Sequence, residues 1–465
     1  MATTAVILAA GLGTRMKSRL PKVLHPILGD PSLLWVLRTL PRDLNAAVVV
    51  VHHGREQVLA TLESWRAQGL LPCPVTTVDQ GEPLGTGHAL QACIPELDRL
   101  GATRVVILCG DVPLTTPATV ARLCASEALL LAMDLAEPGA YGRVLQHPDG
   151  RLAGLVEAKD ATTEQRAVRR VNGGAYALPW PALRTALQQL RNDNAQREYY
   201  LTDAVAAVAR EQGVAVEVCA PEELAGMNSR MDQADLQASA QRRINAHWMA
   251  EGVTFLHPGS TLVGPRVMLA QDIVIDPCVR LEGTCSFGEG CHIGQGTVVA
   301  DSDVAEAVEI RPYCVVERTR VGSGAKVGPF ARLREGTLLE PGVHVGNFVE
   351  TKKAHLHRGA KANHLAYLGD AEIGEGTNVG AGVITCNYDG VNKHRTLIGR
   401  NVFIGSDTQL VAPVEIGDGA LIGAGSTITK DVPPDALALS RAPQTSREGG
   451  ATAIRARQKQ ATRVS

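Results

Sequence analysis

From Val263 onward, every sixth residue is a mid-sized apolar side chain, through Leu269, Ile275, Leu281, Phe287, Ile293 and Val299. The frame resumes at Val304, Ile310 and Val316, then at Val321, Val327, Leu333, Leu339 and Val345. It returns a third time at Ile398, Ile404, Leu410, Ile416, Ile422 and Ile428. An amphipathic helix repeats its apolar positions at three and four residues, so a period of six excludes it. One inward plug per six residues fits short strands joined by tight turns, the hexapeptide β-helix. Many plugs are followed by glycine, as in Ile293-Gly294, Val327-Gly328 and Ile404-Gly405, and 29 of the 47 glycines lie beyond residue 250. Aromatic residues are only 3% of the chain, as a narrow interior filled by Val, Ile and Leu requires.

Two stretches interrupt the frame, Thr351–Asn363 and Thr385–Arg395, and the second is long enough to protrude as a loop. Function is expected at these breaks. Around them stand Arg334, Lys352, Lys353, His364, Tyr367, Asn378, Asn387, Tyr388 and Lys393. Cations beside a His and a Tyr suit a phosphorylated sugar.

The first half follows a different rule. Short β-branched runs at Val6–Leu8, Val48–Val51, Val75–Val78 and Val105–Leu108 alternate with helical stretches such as Arg55–Arg66 and Pro117–Ser126. That alternation predicts an α/β domain, Rossmann-like, on a mostly parallel sheet whose ligands bind at the carboxyl ends of the strands. A chain of 465 residues holds two or three domains. The expected division is residues 1–229, a linker helix over 230–250 with Met231, Ala234, Ala238 and Trp248 on one face, and the β-helix over 251–465. The tail after Pro443 loses the repeat, and its end is expected to be mobile.

Two strand ends carry chemistry. The first reads Leu8-Ala9-Ala10-Gly11-Leu12-Gly13-Thr14-Arg15-Met16 and runs on to Pro21-Lys22. Its glycines let backbone N–H groups approach a phosphate, while Arg15 and Lys22 add charge. It is neither a Walker A loop nor a dinucleotide fingerprint. The second is Cys109-Gly110-Asp111-Val112-Pro113, where Asp111 either holds Mg²⁺ against substrate phosphates or caps a turn. Asn228 likewise has two readings, a metal ligand or a helix cap.

The formal net charge is -2, so no overall field favours nucleic acid or an anionic membrane. Ten cysteines lie without C-x-x-C pairs or metal-ligand spacing, as for reduced thiols in a cytoplasmic protein. Neither a secretory leader nor a membrane span is expected.

The segment LAAGLGTRM with Pro21-Lys22, and CGDVP after it, resemble the signature and the metal-binding strand end of sugar-nucleotide pyrophosphorylases. Gln80, Gly85-Thr86-Gly87-His88, Tyr141-Gly142-Arg143, Glu157-Ala158-Lys159-Asp160 and Val171-Asn172-Gly173-Gly174 extend the likeness. The second half resembles left-handed β-helix acyltransferases, many of them trimers. Segments such as GPFARLREG, VGNFVETKKA, NHLAYLGDAEIG and GAGVITCNYDGVNK are similar to the family that joins these two domains in one chain.

That resemblance implies two activities: acetyl transfer from acetyl-CoA to glucosamine 1-phosphate, and uridylyl transfer from UTP to N-acetylglucosamine 1-phosphate. It implies Mg²⁺, a homotrimer formed through the β-helix, and a product that feeds cell-envelope precursors. By the same resemblance Ala9–Gly11, Gln80, Gly85 and Thr86 contact the uridine nucleotide. Gly142, Glu157 and Asn172 hold its sugar, and Asp111 and Asn228 hold the metal. Arg334 and Lys352 bind the acceptor's phosphate, Tyr367 and Asn378 its sugar, and His364 is the general base. Ala381, Asn387, Tyr388, Ser406, Ala424 and Arg441 border acetyl-CoA. Three positions depart from the family pattern: Leu12 stands for a frequent Lys, Gly173 for a usual Thr, and the tail SREGGATAIRARQ lacks an aromatic. The alternative reading is a single-activity pyrophosphorylase with a structural β-helix.

Overall fold

The computed structural model describes residues 2–461. The chain forms two compact units, the first running to His247 and including Val263–Pro265, the second made of Trp248–Leu262 and the residues from Arg266 onward.

Among the described residues, the first unit is built on a nine-stranded sheet. Its strands are β1 (Thr3–Leu8), β2 (Ala46–Val51), β3 (Val75–Asp79), β4 (Arg104–Cys109), β5 (Leu129–Asp134), β6 (Arg143–Gln146), β7 (Leu152–Val156), β8 (Arg170–Pro179) and β9 (Ala215–Val218). The order is β9-β5-β8-β4-β1-β2-β3, with β6 and β7 as an antiparallel ribbon beside β8. The pairs β1–β2, β2–β3, β1–β4 and β5–β9 are parallel, whereas β8 runs against β4 and β5. Successive residues of the central strands serve opposite layers. Ala5, Ile7, Val49, Val51, Val106 and Leu108 enter one apolar cluster, and Val6, Val48, Val50, Val105 and Ile107 enter the other. Strands buried on both faces read as unbroken apolar runs, which is how β1, β2 and β4 appear in the sequence.

Arg230–Ala250 is a helix, as its lack of Gly and Pro predicts. The predicted face is corrected. Met231 is 78% exposed, and the buried positions are Leu236, Ala240, Gln241, Asn245 and Trp248. Those five follow helical spacing in a single stripe, but two of them are polar, so a search for apolar residues alone misplaces the face.

In the second unit, strands stack in parallel into sheets of eleven, ten and nine among the described residues. Each strand up to Gln409–Val411 pairs with the third one after it, and at the end Leu421–Ile422 pairs with Leu437–Ala438, the second after it. Ile275, Ile293, Ile310, Val327, Val345, Ala362, Val379, Ile404 and Ile422 form one such column. Three strands make a coil, and the three sheets are the faces of a left-handed parallel β-helix. Every predicted plug from Val263 to Ile428 is 6% exposed or less.

The expected break at Thr351–Asn363 is not a break in the coil. Thr351, Leu356 and Ala362 continue the interior at 0% exposure. The Thr351 hydroxyl is paired with that of Thr337 at 3.0 Å, so a polar plug is tolerated in the interior. Only the second interruption leaves the coil. Thr385 still points inward, the chain then turns out through Asn387–Arg395, and Ile398 regains the frame. After the last coils a helix spans Gly450–Ala461, with its side chains exposed from 451 to 459. No described helix is long and apolar enough to cross a membrane, and the ten cysteines are free.

Candidate active sites

The carboxyl ends of β1 and β4 are neighbours, with Leu8 in register with Cys109, so the two motif loops meet. They border a cavity of about 380 Å³ lined by Leu8, Ala9, Ala10, Gly11, Leu12, Lys22, Gln80, Gly85, Thr86 and Asp111. Cys109 of the second motif also lines it, and Val23, Pro83, Ala89 and Glu198, which nothing in their spacing marked in the sequence, complete the wall. The Lys22 ammonium is ion-paired with Asp111 and lies 3.3 Å from Asn228 Oδ1. Asp111 therefore faces the cavity instead of capping a turn.

Asn228 is not the helix cap either. Ser229 Oγ accepts the Asp232 N–H at 3.2 Å, while Asp232 Oδ2 accepts from the N–H groups of Asn228 and Ser229 at 2.9 and 2.8 Å. This reciprocal capping box leaves the Asn228 amide oxygen to the site. Gly85, at φ 112°, lies against the Tyr199 carbonyl so closely that a Cβ would approach it to 2.6 Å, and Gln80 Nε2 donates to the Gly85 carbonyl at 2.9 Å. Arg15 is exposed on the turn Thr14–Met16 and does not line the cavity, so the structure does not bring it to Lys22 and Asp111.

Gly142, Glu157 and Asn172 form a second group, because β6 lies between β7 and β8. The Asn172 N–H donates to the Gly142 carbonyl at 2.9 Å, and a Cβ on Gly142 would sit 3.5 Å from Glu157. Burial pushes the Glu157 carboxyl above its ordinary range, against the hydroxyl of Thr202, which donates to it at 3.0 Å. The Gly173 departure has a packing cause. It sits at the bulge of β8, where a Cβ would come within 2.5 Å of Leu224 Cδ1 and 2.8 Å of the Leu131 carbonyl. Leu12, the other departure in this unit, is half-exposed on the cavity wall.

In the second unit the coil register does the assembling. Asn347 pairs with His364, and the chain of bonds Leu365 N–H to Asn347 O, Gly382 N–H to Leu365 O, Asp407 N–H to Ala381 O and Gly425 N–H to Ser406 O carries the column onward. His364, Ala381, Ser406 and Ala424 thus stand one above another on one corner. Arg441 Nη1 reaches the Ala424 carbonyl at 2.8 Å. His364 Nδ1 lies 2.8 Å from Asn347 Oδ1, and an amide oxygen only accepts, so Nδ1 carries the hydrogen and Nε2 keeps its lone pair toward solvent. Asn347 was missed in the sequence, although its separation from His364 is one coil. The N–H groups of Ala381 and Ser406 have no acceptor among the described residues.

Arg334, Lys352 and Tyr367 lie on the adjoining ten-stranded face. Arg334 is paired with Glu350 at 2.8 Å and Lys352 with Glu335 at 3.6 Å. Asn378 is on the eleven-stranded face, in register with Lys361, and no hydrogen bond joins it to the cations among the described residues. The excursion Asn387–Arg395 is ordered by Asp389, whose carboxylate accepts from the N–H groups of Val391 and Asn392 and from His394. Those bonds hold its pKa down at about 2. Asn387 anchors the excursion to Asp370 at 2.5 Å, and Tyr388 is exposed beside it.

Residues 5–199 match the MobA-like NTP transferase domain, and residues 395–430 match the bacterial transferase hexapeptide family. Over its whole length the chain is similar to proteins named "Bifunctional protein GlmU". That of Syntrophotalea carbinolica is 48% identical over 450 residues, 95% of this chain and 95% of the relative. That of Alkalilimnicola ehrlichii is 47% identical over 455 residues, 96% of each. That of Sorangium cellulosum is 44% identical over 469 residues, 99% of this chain and 98% of the relative. At 44–48% identity over nearly the whole of both chains, the chain belongs to the family of bifunctional GlmU proteins.

Proposed function

We propose that the two units carry successive halves of UDP-N-acetylglucosamine synthesis: the β-helix acetylates glucosamine 1-phosphate from acetyl-CoA, and the α/β unit transfers uridylyl from UTP to N-acetylglucosamine 1-phosphate. The observation that carries this reading is the pair of independent sites, Lys22–Asp111–Asn228 in one unit and the His364 column in the other. A single-activity pyrophosphorylase has no use for the second.

In the first site, the acceptor's phosphate oxygen attacks the α-phosphorus of UTP in line and pyrophosphate leaves. Negative charge gathers on oxygen throughout, so positioned cations are the main source of rate. Lys22 supplies one, and the Gly11 loop supplies backbone N–H groups. One carboxylate and one amide oxygen, already gathered around an ammonium, form a donor set that suits a hard cation with phosphate and water as its other ligands. Asp111 and Asn228 would hold Mg²⁺, which neutralises phosphate charge when bound. In the second site, Arg334 and Lys352 hold the sugar phosphate, His364 Nε2 takes a proton from the sugar amine, and the N–H groups of Ala381 and Ser406 receive the thioester oxygen as it gains charge. Given acetyl-CoA and glucosamine 1-phosphate, the purified chain should release free thiol. With UTP and Mg²⁺ added, it should then release pyrophosphate. No thiol release would leave only the single-activity reading.

The acetyl site is completed between copies of the chain. Tyr313, Phe330 and Phe348 stack at 5.3 and 5.4 Å along the corner beside His364, and with Leu365 they are 49–63% exposed. An exposed apolar ladder of this kind marks an interface, and a homotrimer would cover it while bringing a neighbour's face to His364. Phe330 and Phe348 have φ of 55° and 58°, which Asn tolerates. Phe330→Asn with Phe348→Asn should dissociate the assembly by light scattering and lower acetyl transfer with it, leaving uridylyl transfer intact. A monomer with full acetyl activity refutes the shared site.

A further inference from the structure

The nine-stranded face of the β-helix carries none of the acetyl-site residues, yet it holds a cluster built across three successive coils. His355 and His357 flank the inward Leu356 and so point outward together, their ring centroids 3.9 Å apart. One coil earlier, Glu340 Oε1 lies 2.9 Å from His355 Nε2 and 2.9 Å from His357 Nδ1. One coil later, Glu372 Oε1 lies 3.2 Å from His357 Nε2. The outer carboxylates are themselves fixed: Glu340 Oε2 accepts the Arg358 N–H at 2.9 Å, and Glu372 Oε2 accepts from Arg395 at 2.9 Å.

The geometry points to a binding site for a divalent transition metal such as Zn²⁺, held by Glu340 Oε1, His355 Nε2 and His357 Nδ1, with Glu372 as the outer carboxylate that orients His357. One ligand atom from each of the three residues lies within 4.8 Å of the others, and tetrahedral ligands at about 2.0–2.1 Å from zinc are about 3.3 Å apart, so small side-chain rotations admit the ion. Two imidazoles and a carboxylate match the ligand preference of zinc-like ions rather than of Mg²⁺ or Ca²⁺. Both His357 ring nitrogens face carboxylate oxygens, and a neutral imidazole donates from one nitrogen only, so a second proton or an ion on Nδ1 completes the arrangement. With the ion on Nδ1, the remaining Nε2–H donates to Glu372, the carboxylate–histidine–metal arrangement that fixes a ligand's tautomer. His355 and His357 remain about one-third exposed and Glu340 and His357 border a groove of about 520 Å³, so an ion can enter and a fourth position stays open to water. Bound there, the ion would tie three coils together.

The test uses the full chain, stripped with a chelator and titrated with Zn²⁺ against a chromophoric competitor in excess Mg²⁺. One equivalent per chain is expected, with a dissociation constant near micromolar or tighter, and with Co²⁺ in its place visible d–d bands should appear. His357→Gln should abolish both signals, and Glu372→Gln should weaken binding about 10- to 100-fold while keeping the stoichiometry. Retention of both transferase activities reports that the variants are folded; if His357→Gln loses them, Glu340→Gln serves the same test. Zn²⁺ uptake by the variant equal to that of the parent, or none by the parent, overturns the assignment.

Discussion

Asp111→Ala is expected to lower Mg²⁺-dependent formation of the UDP-sugar by roughly a hundredfold or more while leaving acetyl transfer at its parent rate. Removing one electrostatic group from a site that stabilises oxygen charge typically costs about 10²- to 10³-fold, and Asp111 does two jobs. It holds the Lys22 ammonium against the cavity, and with Asn228 it offers the oxygens that would take a hard cation. Asp111→Asn separates the two, since it keeps an oxygen to accept from Lys22 but loses the charge. A fall as deep as in the alanine variant assigns the effect to charge, whereas recovery assigns it to placement of Lys22. Pyrophosphate release and thiol release measured on the same preparation decide the matter, and undiminished uridylyl transfer in Asp111→Ala removes the residue from the site.

His364→Ala is expected to lower acetyl turnover by about 10²- to 10⁴-fold, the range for loss of a general base, with little change in uridylyl transfer. The acceptor amine is largely an ammonium near neutral pH and attacks only after losing a proton, a task to which imidazole is matched. The structure adds the tautomer: Asn347 holds Nδ1–H, so the lone pair sits on Nε2. Saturating substrates at pH 7.5 separate this role from binding. Turnover within threefold of the parent would mean that another group takes the proton.

Most of the fold was legible because both halves write their burial into the sequence at fixed intervals. Strands buried on two faces leave continuous apolar runs, and the solenoid leaves one plug in six. Where legibility failed, polar or small residues occupied interior positions. Thr351 and Ala362 look like an interruption and are ordinary plugs, and Gln241 and Asn245 hide the buried stripe of the long helix. The motif loops of the first site were legible, since glycines and charges fall at predicted strand ends. Their partners were not: Glu198 reaches the cavity from a loop distant in sequence, and Arg15 stands near Lys22 in the chain yet lies outside the cavity. In the second site His364 and its polar neighbours were found beside the interruptions in the frame, and Ala381, Ser406, Ala424 and Arg441 by likeness, whereas their arrangement follows from register. Asn347, Ala381, Ser406 and Ala424 fall on one corner with His364 because each lies one coil from the next.

A stack of coils with a constant rise is a ruler. Neighbouring strands are about 4.8 Å apart, so the corner that runs from His364 to Arg441 is graduated in equal steps and spans about 19 Å over four of them. On the proposed placement of the acyl donor, the length of its arm is measured against these marks, with the thioester at one end and Arg441 near the other. The excursion at Asn387–Arg395 shows how the scale is protected: extra residues leave at a corner, and Val379 still pairs with Ile404. Loss of one whole coil would leave the remaining plugs in frame and the solenoid closed, yet it would displace the mark by about 4.8 Å, further than a hydrogen bond of about 3 Å can follow. Extra residues that leave the coil, as at Asn387–Arg395, keep the register, whereas loss of a whole coil between His364 and Arg441 is disabling even where every remaining coil still packs.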